Sequence, residues 1–292
     1  MMSTFRVAVA IATKGRPSIV SRCVASLQDQ SYPIGKILVS CSSKDDFPQD
    51  IVSDHVTVIY GPAGLTKQRN NALANLPDDT DLLIFFDDDF VAHTDYVKAM
   101  VALFTAEASI AGATGEVVAD GINGNAIAFD DAVQRLRQIS IDTTKPIVVE
   151  DFSPYGCNMV FRRTALAGLS FDERLVLYGW QEDRDFGAQV ARRGRIVHLD
   201  TACGIHLGFR GGRVRGVRLG YSQVVNPLYL HSKRNMALGK AVTHISKNIA
   251  ANTLKIFVLR DGEDRVGRLK GNILALGDVL RGRLEPEKVL HL

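Results

Sequence analysis

The sequence predicts an α/β fold: a Rossmann-like, mostly parallel sheet flanked by helices, with a helical extension at the C-terminal end. Three observations carry this. Short, nearly continuous apolar runs recur along the first 200 residues, as strands buried on both faces require. Segments of helical periodicity separate them, giving a βαβ rhythm and right-handed crossovers. Finally, 292 residues with 46% hydrophobic and 23% charged side chains can build a sizeable core, which excludes a disordered chain.

The elements follow in order. FRVAVAIA (5–12) is the first strand, and a helix runs from Pro17 to about Gln30, because proline favours a first turn and Ile19, Val20, Val24 and Leu27 recur at helical spacing. KILVSCS (36–42) and VTVIY (56–60) are the second and third strands, with a helix starting near Leu65. DLLIFF (81–86) is the fourth strand, a helix covers Asp95 to Phe104, and GEVVAD (115–120) is the fifth strand. Residues 121–153 are less regular. NMVFRR (158–163) resumes a strand, and GWQEDRDFGAQVARRG (179–194) is a helix with Glu182, Asp183 and Asp185 in its first turn and Gly194 closing it. RIVHL (195–199) is a last short strand, followed by a Gly/Arg-rich loop (206–216) and about 75 residues of helix. The expected division is 1–216 for the α/β domain and 217–292 for a basic helical extension.

The net charge of +3 hides an asymmetry. Residues 1–200 carry 19 basic against 26 acidic residues, a balance of −7, and residues 201–292 carry 16 against 6, a balance of +10. The N-terminal apolar run is interrupted by Arg6 without a following small-residue cleavage site, and no apolar run reaches the roughly 20 residues a membrane span needs. A cytoplasmic location is the expectation. Cys23, Cys41, Cys157 and Cys203 have no CxxC spacing, so neither a disulfide framework nor a zinc site is expected.

Asp87-Asp88-Asp89 stands directly after the apolar strand LLIFF. An acidic triplet is often only a solvated turn. Adjacent carboxylates raise one another's pKa unless a cation or strong donors compensate, and the carboxyl end of a buried strand is where α/β folds place ligands. Alternation in extended chain points Asp87 and Asp89 one way and Asp88 the other. Two hard oxygen ligands on one side suit Mg²⁺ or Mn²⁺ with positions left open for a diphosphate.

Five segments in order, AIATKGRP after the first strand, GLTKQRNNAL (64–73), FFDDDF (85–90), YGCNMVFRR (155–163) and GWQEDRDF (179–186), resemble family 2 glycosyltransferases of the GT-A fold with its D-x-D motif. The resemblance covers roughly residues 5–210. It implies a metal-dependent enzyme that passes a sugar from a nucleotide diphosphate donor to a hydroxyl acceptor, saccharide or lipid-linked, with inversion. By the same resemblance, Thr13, Lys14 and Arg16 lie at the nucleotide, as do Lys67, Arg69 and Asn70 of the family's A-R-N helix start. Asp89 ligates the metal, and Asp87 and Asp88 divide metal and ribose between them. The family's base-reading Asp is replaced here by Cys41 and Ser42, which puts a uridine donor in question unless Asp45 or Asp46 substitutes. Glu182-Asp183 matches the family's E-D motif, with Asp183 as the base: the positive helix end favours its ionised form. Tyr178 and Trp180 are either acceptor-stacking rings or core aromatics. His206 is the candidate third metal ligand, and Gly211-Gly212-Arg213 a candidate lid.

Three readings of the basic, apolar-interleaved segment 254–284 are open: helices packed on the catalytic domain, a homo-oligomer interface, or peripheral contact with an anionic membrane. Packing is the first expectation. No nucleic-acid module accompanies the charge. A sugar nucleotidyltransferase would need a glycine-rich phosphate loop, and ATKGRP has one glycine. A non-catalytic scaffold or carbohydrate-binding relative would lose carboxylates that this chain retains.

Overall fold

A computed structural model describes residues 5–123, 125–142, 146–150, 153–209, 215–258 and 263–292. The elements are β1 (Val7–Thr13), α1 (Pro17–Ser26), β2 (Lys36–Cys41), β3 (Val56–Tyr60), α2 (Leu65–Ala74), β4 (Leu82–Asp87), β5 (Phe90–Ala92), α3 (Tyr96–Ala106), β6 (Ile110–Asp120), α4 (Phe129–Gln138), β7 (Val148–Glu150), β8 (Asn158–Arg162), α5 (Arg163–Leu166), α6 (Glu182–Val190), β9 (Arg195–His206), α7 (Gly216–Ser232), α8 (Leu238–Val258) and α9 (Arg265–Leu280).

One sheet runs in the order β3-β2-β1-β4-β8-β6-β9-β5, with β7 also paired to β9. The strands β1, β2, β3, β4, β6 and β9 share a direction, while β5, β7 and β8 oppose it. The carboxyl ends of β1, β4, β6 and β9 therefore open on the same edge. Register fixes the details: Ala12 stands beside Asp87 and Asp120 beside His206. Val7, Val9, Ile11, Val39, Leu82 and Ile84 are buried in the main core, as the continuous apolar runs require.

Two compact units partition the chain. The first comprises Met1–Ala63, Lys67–Ser170 and Gln189–Gly212, and the second Gly64–Thr66, Phe171–Ala188 and Arg213–Leu292. The second draws in the E-D motif segment beside the C-terminal helices. Within it, α7 and α9 approach closely through glycines one turn apart. A Cβ on Gly220 would lie 1.9 Å from the Arg268 carbonyl, and one on Gly271 would lie 2.0 Å from that of Val217. A buried amide chain adds specificity: Asn252 Nδ2 donates to Gln223 Oε1 (2.8 Å) and Asn272 Oδ1 (3.0 Å), and Asn272 Nδ2 to the Gly220 carbonyl (2.7 Å).

Several boundaries depart from the sequence reading. The helix expected over 179–194 spans Glu182–Val190, because Leu177, Gly179 and Gln181 adopt positive φ (61°, 65° and 71°) and break the helical path before Glu182. The last strand extends past Leu199 to His206, since pairing with β6 resumes at Cys203 after a register shift and β5 pairs with Gly204, Ile205 and His206. The irregular stretch 121–153 contains α4 and β7.

Candidate active site

The turn from β4 to β5 carries the three aspartates, and apolar packing pins it from behind. Phe86 and Phe90, on either side, stack with centroids 5.1 Å apart, and Tyr96 meets Phe86 edge-on at 5.1 Å. Such pairs contribute about 0.5–1.5 kcal/mol each beyond their buried area. The aspartates thus sit on a rigid edge of the sheet rather than on a loose loop.

Each carboxylate meets different partners. Asp87 Oδ1 pairs with Nη2 of the buried Arg69 at 3.0 Å, and the same nitrogen donates to the Gly156 carbonyl at 2.8 Å. Asp88 is buried the other way: Thr13 Oγ1 donates to its Oδ2 at 2.7 Å and Arg16 Nη2 lies 3.1 Å from its Oδ1. Asp89 Oδ2 accepts the Phe209 N–H at 2.9 Å and faces Arg16 Nη1 at 3.3 Å, while its Oδ1 lies 3.2 Å from His206 Nε2. Arg16 Nε is buried without a hydrogen-bond partner among the described residues.

His206 is the final residue of β9, not part of the loop beyond it as the sequence suggested. Its Nδ1 lies 3.1 Å from Asp120 Oδ1 across the β6–β9 register, and Tyr155 Oη donates to Asp120 Oδ2 at 2.8 Å. The two strand ends meet backbone to backbone: a Cβ on Gly121 would lie 2.1 Å from the Leu207 carbonyl, and Gly208 has φ +71° with equally little room.

The electrostatics follow from these contacts. Burial raises Asp88 to about 7, against the pull of Arg16 and the Thr13 hydroxyl. Burial also raises Asp87, with Arg69 and His206 opposing. For Asp89 burial is outweighed by the His206 bond and charge and by Arg16, so its carboxyl is lowered. Burial disfavours a charged His206, yet bonds to Asp120 and Asp89 outweigh it and raise the imidazole to about 10. The cluster is a group of carboxylates that holds positive charge.

A divalent cation fits this donor set. One ligand atom from each of Asp87, Asp89 and His206 lies within 4.8 Å of the other two, close to the span of three ligands around one ion. Asp120 is placed to accept Nδ1–H, which aims Nε2 at the two carboxylates, where a cation would take the place of its proton, the usual outer-shell device for a metal-binding histidine. Two carboxylate oxygens and one imidazole nitrogen suit Mn²⁺ as well as or better than Mg²⁺.

The other expected residues divide into two groups. Thr13, Arg16, Arg69, Asp87, Asp88, Asp89 and His206 gather at this edge. Ser42 lies beside Asp46, not at the carboxylates. Asp46 Oδ2 accepts the Ser42 hydroxyl (2.7 Å) and the Ser42 and Ser43 N–H groups (both 2.8 Å), and its Oδ1 takes the Gly15 N–H at 2.7 Å. Burial pushes Asp46 up, but these donors outweigh it and lower it. Asp46 is thus a clamp between the loops after β1 and β2. Lys14 is exposed, and Lys67 and Asn70 are half-buried. Gln68, not singled out from sequence, donates to the Thr13 and Ser40 carbonyls at 2.7 and 2.8 Å and ties α2 to both strand ends.

Glu182 and Asp183 open α6 in the second unit, Glu182 buried and Asp183 half-buried. Alternating left-handed residues just before a helix start are the kind of backbone strain that collects at functional positions. Asp185, fully buried, accepts from Asn235 Nδ2 (2.7 Å) and pairs with Lys233 Nζ (2.7 Å), which also meets Asp172 at 2.6 Å. Tyr178 is 51% exposed and Trp180 half-buried. The expected lid, Gly211-Gly212-Arg213, lies outside the described residues.

The sequence reading placed Asp120 at a strand end, Tyr155 in a motif and Asp185 in a helix's first turn, but gave none of the three its role here. Asp120 carried a usable signal: like Asp87, it ends an apolar strand. Nothing in the one-dimensional spacing linked it to His206, 86 positions on.

The sequence matches the profile of Glycosyl transferase family 2 over residues 8–169, more than half of the chain. The chain belongs to glycosyl transferase family 2. It is therefore an enzyme of glycosyl transfer. No curated protein matches the sequence. Among solved structures, this transferase is similar to S. aureus TarS 1-349, at 15% identity and TM-score 0.58, covering 98% of this chain and 82% of that one. The same protein in complex with UDP-GlcNAc gives 15% identity and TM-score 0.58, covering 98% and 83%. GalNAc-T7 with UDP, GalNAc and Mn²⁺ gives 13% identity and TM-score 0.53, covering 99% of this chain and 57% of that one. At such identities the likeness establishes the shared GT-A fold. Among the described residues, no helix is long and apolar enough to cross a membrane.

Proposed function

We propose that this transferase moves a sugar from a nucleotide diphosphate donor to a hydroxyl of a saccharide or lipid-linked acceptor, inverting the anomeric centre by direct displacement. The observation that carries this reading is the cluster of Asp87, Asp89 and His206, backed by Asp120, at the carboxyl ends of three strands of one direction. A bound Mg²⁺ or Mn²⁺ would supply charge stabilisation to the departing diphosphate. The solved complexes of TarS with UDP-GlcNAc and of GalNAc-T7 with UDP and Mn²⁺ support a nucleotide sugar donor and a divalent cation.

The chain's own residues take the remaining roles. Arg16, whose buried Nε lacks a partner among the described residues, and Arg69 supply positive charge where phosphate oxygens arrive, and Lys67 and Lys14 extend it. Asp88, held by Thr13 and Arg16, is the carboxylate for the ribose, and Ser42 and Asn70 border the nucleotide. Asp183 takes the acceptor proton, with Glu182 beside it. General-base catalysis contributes roughly 10²–10⁴-fold.

Thermal-shift titration with UDP-, GDP- and dTDP-sugars, with and without Mn²⁺ or Mg²⁺, identifies the donor. Asp183→Asn is expected to cut transfer by about 10²–10⁴-fold while donor-induced stabilisation persists. Near-normal turnover in that variant removes Asp183 as base, and a failure of every nucleotide sugar to bind removes the transfer reading itself.

A further inference from the structure

Helix α9 turns its small side inward and its large side outward. Gly267, Gly271, Asn272, Ala275 and Asp278 are buried on one face, and Gly271 belongs to the close approach with α7. The opposite face carries Val266, Leu269, Ile273, Leu276 and Leu280, spaced three and four residues apart. Val266 is 53% exposed, Ile273 62%, Leu276 41% and Leu280 88%; Leu269 is half-buried. A helix of a water-soluble domain buries such a stripe against its core. Here the core contact is made without it.

The surrounding charge says what can cover this face. Among the described residues from 238 to 283, the exposed cations are Lys240, Lys247, Lys270, Arg281 and Arg283. The exposed acid in that range is Asp264, whose carboxylate is occupied in capping α9 through the Gly267 N–H at 2.8 Å. Glu263 is bound to Arg268, and Asp278 is buried against Tyr221 and Lys288. On a helical projection Lys270 and Arg281 lie along one side of the aliphatic stripe, between it and the exposed Leu274. A second copy of the same face would bring cation against cation, and five side chains fall far short of the about 20–30 residues a side of a stable protein interface. An apolar strip bordered mainly by cations complements an anionic lipid surface.

We propose that α9 lies on an anionic membrane surface, with Val266, Ile273, Leu276 and Leu280 at the acyl boundary and Lys270, Arg281 and Arg283 at the headgroup phosphates. Its 16 residues, about 24 Å of helix, lie along the surface instead of spanning it.

The test is flotation of the whole protein with phosphatidylcholine vesicles, with and without about 30 mole per cent phosphatidylglycerol. The wild type is expected to float with the anionic vesicles and stay behind with the neutral ones. Ile273→Ser/Leu280→Ser should reduce the bound fraction at least tenfold and Lys270→Ala/Arg281→Ala several-fold. Both should keep the wild-type thermal transition by circular dichroism, because the altered side chains lie outside the core. No binding of the wild type to anionic vesicles overturns the proposal. So does anionic binding that survives loss of the two aliphatic side chains, or a dimer in sedimentation velocity that those substitutions dissolve while lipid binding is absent. No donor or acceptor enters this measurement, so its outcome is separate from that of the sugar-transfer reading.

Discussion

Two carboxylate clusters in this protein meet their cations in different ways. At the strand ends of the first unit, Asp87, Asp88, Asp89 and Asp120 face Arg16, Arg69 and His206, and the acids outnumber the guanidinium groups. In the second unit Asp172 and Asp185 close on Lys233, and neutral donors from Tyr229 and Asn235 fill the remaining lone pairs. The first cluster keeps more carboxylate charge at the strand ends than its two arginines offset, with burial raising Asp87 and Asp88, and this favours a cation. The second is satisfied internally and ties α6 to the end of α7. One is organised to bind, the other to hold, although both are built from aspartate and a base.

Substitutions should separate these roles. The largest effect is expected for Asp89→Ala, which removes a candidate ligand and a partner of Arg16. Transfer assayed with Mn²⁺ should fall roughly 10³-fold, while the urea midpoint falls only slightly, because the lost bonds to His206 and Arg16 are partly offset by relieved repulsion on Asp87 and Asp88. A large drop in the midpoint with transfer retained would place Asp89 with the holding cluster. Lys233→Met should do the reverse. With two carboxylates left facing each other, stability should fall by about 3–5 kcal/mol in urea titration, with no change in Mn²⁺ affinity.

Asp120→Asn should weaken Mn²⁺ binding about 10–100-fold by isothermal titration, since the support of His206 is lost and its ligand geometry kept. Unchanged affinity would show that His206 does not depend on Asp120 for its aim. The smallest effect concerns acid. Burial pushes Asp172 up, but Lys233, Tyr229 and the Arg174 N–H outweigh it, so the folded-state carboxyl sits below its ordinary value. Its contribution is therefore fully present above the unfolded carboxylate's pKa of about 3.9 and is lost as pH falls through the lower folded value. Asp172→Asn should flatten that acid limb of the stability curve by about 1 kcal/mol.

The legibility of the molecule follows the range of the interactions involved. Strands β1 to β4 were readable because two buried faces demand unbroken apolar runs, and Asp87–Asp89 were readable because they end one. The start of α6 was displaced by three left-handed residues, Leu177, Gly179 and Gln181, of which only the glycine advertises such a conformation. The length of β9 was hidden because Asp200 and Gly204 look like strand breakers until Ile147 partners the first and β5 and β6 the second. For α9 the sequence showed an amphipathic pattern but not its orientation: a stripe of leucines normally implies burial, and here the glycines are buried instead.

The amino-acid sequence by itself determined the α/β class, the family, the acidic turn after the fourth strand and the basic balance of the last third. All of these are local patterns, set by the period of the backbone and the chemistry of neighbouring residues. Only the tertiary structure decided that Asp120 stands behind His206, that Asp46 clamps two loops, that Lys233 bridges Asp172 and Asp185, and which face of α9 meets solvent. Each of those joins residues far apart along the chain, or chooses between two faces of one helix. That choice rests on strand register and on how closely two backbones can approach.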